Sequence, residues 1–222
     1  MSEEKPRDST DAPASRFLEP SKAALTKAAI LDTAHSILET RPFRDLTVGT
    51  LMKATGLSRP TFYLYFNDLH SLMETLLDEA KGGIIEGART WLACEGDAVT
   101  ELQNSLRAVV DVGFEHGTIL KAVSDAATRD ERLEIVWETF LSSFDHVVSA
   151  RIEHDQQNGI TPEFNSFHVA RALNRMDAAI LIKAFGTPKK DDKDAVLSAI
   201  LRVWLSTLYP FDARAAIQLS KG

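Results

Sequence analysis

The chain has little of what marks secreted, membrane-bound and catalytic proteins. It holds one cysteine, Cys94, among 222 residues. A lone thiol closes no internal disulfide and builds no multi-cysteine zinc site, so a reducing compartment is expected. No apolar run approaches the roughly 20 residues of a membrane-spanning helix, and the amino terminus is polar and charged, without an apolar leader segment. A soluble, cytoplasmic protein with no membrane partner is expected. Glycine-rich phosphate loops, a His-Glu-x-x-His zinc motif and a nucleophile elbow are all missing. His146 and His154 share one helical pattern but are too far apart along it to hold one metal, and Cys94 has no activating neighbour in sequence. The expectation is therefore no catalytic residue, no metal, no cofactor and no enzyme. Strand-type alternation is also lacking. What remains is a succession of three-four apolar spacings, which predicts an all-α chain.

The net charge of −7 opposes a nucleic-acid partner only when taken over the whole chain. Residues 22–66 carry six Lys and Arg against three Asp and Glu, a basic segment on an acidic remainder. That distribution suits a protein in which only one end meets phosphates. Within this segment lies Thr47-Val48-Gly49-Thr50-Leu51-Met52-Lys53-Ala54-Thr55-Gly56-Leu57-Ser58-Arg59-Pro60-Thr61-Phe62-Tyr63-Leu64-Tyr65-Phe66. Thr47 reads as an N-cap, Gly56 as a left-handed stop, Ser58 as a second N-cap and Pro60 as a first-turn proline. Two short helices with a tight turn between them follow. The second buries Phe62 and Phe66 and leaves Ser58, Arg59, Thr61, Tyr63 and Tyr65 outside. A helix-turn-helix of this kind places the second helix in the DNA major groove. Tyrosine hydroxyls suit phosphates, whereas Arg59 and Thr61 suit guanine edges and the thymine methyl.

Other elements follow from spacing. Residues 1–21 are rich in charge, Ser and Pro and are expected to be a disordered tail. A first helix covers Ser21 to Thr40. Asn67 or Asp68 caps the next, which carries Leu69, Leu72, Met73, Leu76, Leu77 and Ala80 and is expected to reach Trp91. Beyond Asp97 come a helix ending near His116-Gly117, a short connecting helix over Ile119 to Ala127, and a long one ending by Asn158-Gly159. Another is expected from about Glu163 to Phe185, and a last one closes near Pro210. The expected domains are a DNA-binding head on 22–66, a ligand-binding and dimerisation body on 67–210, and a tail on 211–222. From the residues alone, Phe114, Trp137, Phe140, Phe144 and Trp204 read as core sooner than as a pocket. Asn174 and Asp177 on one face of an apolar helix argue the other way, since a buried polar group needs a partner that a ligand can supply.

The run Gly56 to Phe66 resembles the TetR family of bacterial transcription regulators. Arg41-Pro42-Phe43, Ala172-Leu173-Asn174-Arg175-Met176 and Val203-Trp204-Leu205-Ser206 extend the likeness to its EthR-type repressors of actinobacteria, over roughly residues 22 to 209. The resemblance implies DNA contact at Thr47, Ser58, Arg59, Pro60, Thr61, Tyr63 and Tyr65. It implies an aromatic channel lined by Leu102, Leu106, Val110, Phe114, Trp137, Leu141, Phe144, Val148, Asn174, Asp177, Leu181, Ile182 and Trp204. It further implies a homodimer through the last two long helices, a palindromic double-stranded DNA operator, and release by a hydrophobic small-molecule effector. Asp177 stands where an asparagine is usual, and Leu69 replaces a phosphate-gripping lysine, so that phosphate affinity is expected either to be weaker or to be supplied by Lys53, Arg44 or Lys22. The alternatives are a ligand-independent regulator or activator with a filled helical body, and an enzyme whose pocket performs chemistry.

Overall fold

Each of the longer helices starts on a side chain that takes up one of its orphan N–H groups. The computed structural model describes residues 21–210, so the expected tails at 1–20 and 211–222 lie outside the described residues. Ser21 opens α1 (Lys22–Leu38), and Thr47 opens α2 (Val48–Thr55) through a capping box with Thr50. Ser58 precedes α3 (Arg59–Tyr63), but its hydroxyl lies 2.8 Å from the Thr61 hydroxyl and caps no backbone N–H. Asp68 opens α4 (Leu69–Gly87) by a second capping box, with Ser71. The short α5 (Arg89–Leu92) follows directly. Asp97, Asp130, Asn165 and Asp192 open α6 (Ala98–Ala127), α7 (Glu131–Gln157), α8 (Ser166–Phe185) and α9 (Lys193–Leu208). The fold is all-helical, with no strand among the described residues. No helix among them is long and apolar enough to cross a membrane.

Three boundaries depart from the sequence reading. The expected break at His116-Gly117 does not occur, because α6 runs unbroken through it. Glycine here serves packing instead of termination. A Cβ on Gly117 would lie 2.7 Å from the backbone carbonyl of Phe185, and one on Gly113 would lie 2.7 Å from Leu181 Cδ2. These two positions let α6 and α8 approach more closely than any side chain would permit. The helix expected from Glu163 starts instead at Ser166, where Asn165 supplies the cap. The helix expected to reach Trp91 stops at Gly87 and resumes as α5 after Ala88.

α6 is the central strut, packed against α4, α7, α8 and α9 and touching α1. Two apolar clusters surround it. One runs without interruption from Ile30, Leu51, Phe62 and Phe66 through Leu72 and Leu76 to Ile119, Leu133, Trp137 and Phe144. The other gathers Trp91, Leu102, Leu106, Leu173, Phe185, Ile200, Trp204 and Leu208. The apolar core of α1–α3 is thus continuous with the body, and polar contacts reinforce the junction. His35 Nε2 lies 3.1 Å from the Thr118 hydroxyl, and the His35 ring stacks on that of His116. Asp68 pairs with Arg132 at 2.5 Å and His70 with Asp130 at 2.8 Å, which ties the start of α4 to the turn between α6 and α7.

Candidate functional site

Gly56 takes φ 72°, the left-handed conformation that ends α2 and turns the chain toward α3. Phe62 and Phe66 are buried and hold α3 to α1 and α2. Their burial leaves Thr47, Ser58, Arg59, Pro60 and Tyr63 exposed and Thr61 half-buried. Tyr65 is half-buried against the apolar cluster, so only part of it faces out. Leu64, which sequence reasoning passed over, is 79% exposed at the end of α3. Arg44, Lys53 and Lys22 are exposed around this face, while Leu69 is half-buried in the apolar cluster. Packing therefore explains Leu69, and Lys22, Arg44 and Lys53 are exposed cations of the same three-helix head.

The second feature is internal. Where the two apolar clusters meet, α4 to α9 leave a chamber of about 80 Å³. Leu102, Leu106, Trp137, Leu141, Phe144, Val148, Asn174, Asp177, Leu181 and Trp204 all face it. Three expected wall residues do not. Val110 is buried in the second cluster, Ile182 packs on the first, and Phe114 stands edge-on to Phe185 with the Lys190 ammonium over its ring. The physical reason is the close α6–α8 approach at Gly113 and Gly117, which closes the channel at that level. Sequence reasoning missed Ile84, Ile85, Ala88, Trp91 and Leu92, the wall given by α4 and α5. Only Phe140 carried a readable signal, lying on one stripe with Trp137 and Phe144.

Three polar side chains interrupt this apolar wall: Ser105, whose hydroxyl donates to the Glu101 carbonyl at 2.8 Å, Asn174 and Asp177. Asp177 is buried, and Trp204 Nε1 donates to both carboxyl oxygens, at 3.1 and 3.0 Å. Burial pushes its pKa up to about 8, and the indole hydrogen bond opposes that rise only in part. Asn174 donates from Nδ2 to Asp145 at 3.0 Å, and Asp145 is held in turn by Arg175. Behind the wall, Trp91 Nε1 donates to the Tyr209 hydroxyl at 3.1 Å, and that hydroxyl donates to Asp155 at 2.6 Å. Arg151 donates from Nε to Asp155 at 2.9 Å and also to the Trp91 carbonyl. The guanidinium lies over the Trp91 ring. Tyr209, Asp155 and Arg151 lie outside the lining and fix Trp91, the tryptophan that forms part of it.

A cationic three-helix face and an apolar chamber share one helix, α4, and comparison with known proteins says what such a pairing belongs to. Residues 30–76 match the family described as bacterial regulatory proteins, tetR family, and residues 102–210 match the C-terminal domain of the transcriptional regulator EthR. The chain is 33% identical over 187 residues to the HTH-type transcriptional regulator EthR of Mycobacterium tuberculosis, covering 82% of this chain and 86% of that protein. The chain belongs to the TetR family. It is an EthR-like transcriptional regulator, not an enzyme. A second relative, the HTH-type transcriptional regulator EthR of Mycolicibacterium smegmatis, is 25% identical over 193 residues, with 82% and 86% of the two chains covered. Among solved structures, a putative TetR-family regulator from Syntrophomonas wolfei superposes on this regulator with a TM-score of 0.72. It is 17% identical, and the match covers 81% of this chain and 93% of that one. The shared fold is the one built here around α6.

Proposed function

We propose that this regulator is a homodimeric repressor whose two heads, residues 22–66, sit in successive major grooves of a palindromic operator. A hydrophobic molecule entering the chamber of the body, residues 67–210, lowers operator affinity. The observation that carries the coupling is the path of α4. It begins at Asp68, against Arg132 beside the head, and ends at Ile84, Ile85 and Ala88 in the chamber wall. A helix of 19 residues spans roughly 28 Å, so displacement of the wall reaches the head through one rigid rod. The chamber holds several waters' worth of space but falls short of the ~300 Å³ at the lower end of drug-sized ligand sites. A ligand of that size therefore selects an expanded form of the body, and the population shifts accordingly. A chamber at Asn174 and Trp204 also speaks against the alternative of a filled, ligand-independent body. The outer faces of α8 and α9 carry exposed Ala172, Ala179, Ala195, Ala199 and Val203, small apolar surfaces suited to a symmetric four-helix contact. Such a dimer would present its heads ~34–36 Å apart.

The DNA-reading roles of Thr47, Ser58, Arg59, Pro60, Thr61, Tyr63 and Tyr65 are tested by fluorescence anisotropy on DNA from the region upstream of the gene. Arg59→Ala is expected to weaken binding about 10- to 100-fold and to narrow the gap between this DNA and unrelated duplex. Tyr63→Phe should weaken both by a similar, smaller factor. Equal loss of discrimination in the two variants would overturn the division between base reading and phosphate contact. The coupling makes its own demand. A compound that raises the melting temperature by filling the chamber must weaken operator binding, and operator must weaken the compound by the same factor. A chamber-filling compound that leaves operator affinity unchanged would sink the proposed release.

A further inference from the structure

The chamber wall has a one-sided chemistry. Among the described residues, Asp177 is the sole ionisable side chain in the lining, and no Lys, Arg or His of theirs faces the space. The nearest cations are turned elsewhere: Arg151 to Asp155 behind Trp91, and Arg175 to Asp145 and Glu138 behind Asn174. Asp177 receives hydrogen bonds from Trp204 Nε1 alone, which leaves acceptor capacity on both oxygens unused by the described residues. The same wall carries the rings of Trp91, Trp137, Phe140, Phe144 and Trp204, the last in contact with the acid. A single acid among aromatic faces is the arrangement that receives a positive charge. Ring quadrupoles attract a cation, and a buried carboxylate gains most from a partner of opposite sign.

We propose that the chamber takes a hydrophobic amine, its ammonium group set against Asp177 and its carbon skeleton filling the space between the aromatic rings. This rests on the reading of the chamber as the effector site. A neutral carbonyl compound gains less, because it can accept only one hydrogen bond from the protonated Asp177, whereas an ammonium donates several and forms a charge pair. The free N–H donors on the wall are the Trp137 indole N–H and the second amide N–H of Asn174, neither of which has a partner among the described residues. The buried acid of the empty chamber holds its proton up to about pH 8. Docking of an ammonium therefore sends that proton to solvent and leaves a carboxylate–ammonium pair. Amine affinity should consequently rise with pH, about tenfold per unit, until Asp177 is ionised without the ligand. Among the described residues, the charged groups that pair behind these walls are Arg175 with Asp145 and Glu138, and Asp155 with Arg151 and His154.

The test uses benzylacetone and the amine obtained from it by reductive amination, which share one carbon skeleton. Each is titrated by calorimetry into the full-length chain and into its Asp177→Asn variant. The wild-type chain is expected to bind the amine at least about tenfold more tightly than the ketone. Asp177→Asn should lose at least about thirtyfold toward the amine, as expected when one partner of a buried charge pair is removed, and keep or gain affinity for the ketone. Equal affinities in the wild type, or an unchanged amine affinity in the variant, would overturn the amine assignment and leave the chamber standing as a binding site. Amine binding that survives a chamber-filling Ala178→Trp would also overturn it, by placing the ammonium elsewhere. Absence of binding by either compound at millimolar concentration would overturn the chamber reading itself, and the amine with it.

Discussion

Asp155→Ala is expected to lower the free energy of unfolding by about 3–5 kcal/mol, measured by urea denaturation followed by circular dichroism. Asp155 is buried beside an equally buried Arg151, and it takes hydrogen bonds from Arg151 Nε and the Tyr209 hydroxyl. Truncation leaves the guanidinium with a single backbone acceptor, the Trp91 carbonyl, and no counter-charge. It also strands the Tyr209 hydroxyl, whose ionisation burial already opposes. The cost comes from desolvated groups left unpaired and not from the strength of the original attraction. Removing both charges together, as Arg151→Met with Asp155→Leu, should accordingly cost much less than Asp155→Ala alone. A loss below about 1 kcal/mol for the single variant would show that water reaches the cluster and that it does not hold Trp91 in place.

The second large effect concerns Asp177 and pH. Its folded pKa is raised to about 8 from an ordinary value of 3.8, chiefly by burial. Between those values the folded chain keeps a proton that the unfolded chain has lost. The acid's contribution to stability is therefore whole below its unfolded pKa, shrinks as pH rises, and is gone once pH passes the folded value. At about 1.4 kcal/mol per pH unit the upper bound is roughly 6 kcal/mol, and relaxation around the charge will reduce it. Asp177→Asn carries no such titration and can keep the Trp204 hydrogen bond through its amide oxygen. The variant should match the wild type near pH 5 and exceed its stability by a few kcal/mol near pH 9. His116 tilts the opposite way, since burial and the facing His35 lower its pKa. It favours the fold above its unfolded value and loses that contribution as pH falls. Subtracting wild type from variant at each pH cancels it. A difference that stays flat across the range would show an ionised, hydrated Asp177.

Much of this molecule was legible in the chain. Thr47, Gly56, Ser58 and Pro60 act within a few residues of themselves, so α2 and α3 could be bounded without knowing what they pack on. Asp97 marks a helix start for the same reason, while the caps at Asp130 and Asp192 were not singled out in the chain. The helix at Gly113 and Gly117 was misread because a glycine that ends a helix and one that admits a neighbouring helix look alike in one dimension. Phe114 and Val110 left the chamber wall for that cause too. Trp91 was seen only as the possible end of α4, because its partners Tyr209 and Arg151 lie 118 and 60 positions away.

The order of residues alone determined a helical protein, a cationic reading head with Arg59 and Tyr63 facing out, and an aromatic-rich body. These follow from periodicity, caps and local charge, all of which act over one or two turns. Tertiary structure decided which aromatic rings enclose a chamber, that Asp177 would be buried there against Trp204, and that α4 would join chamber to head. Those depend on how closely α6 and α8 approach and on where two apolar clusters fail to close, and such distances are set by packing between segments far apart in the chain.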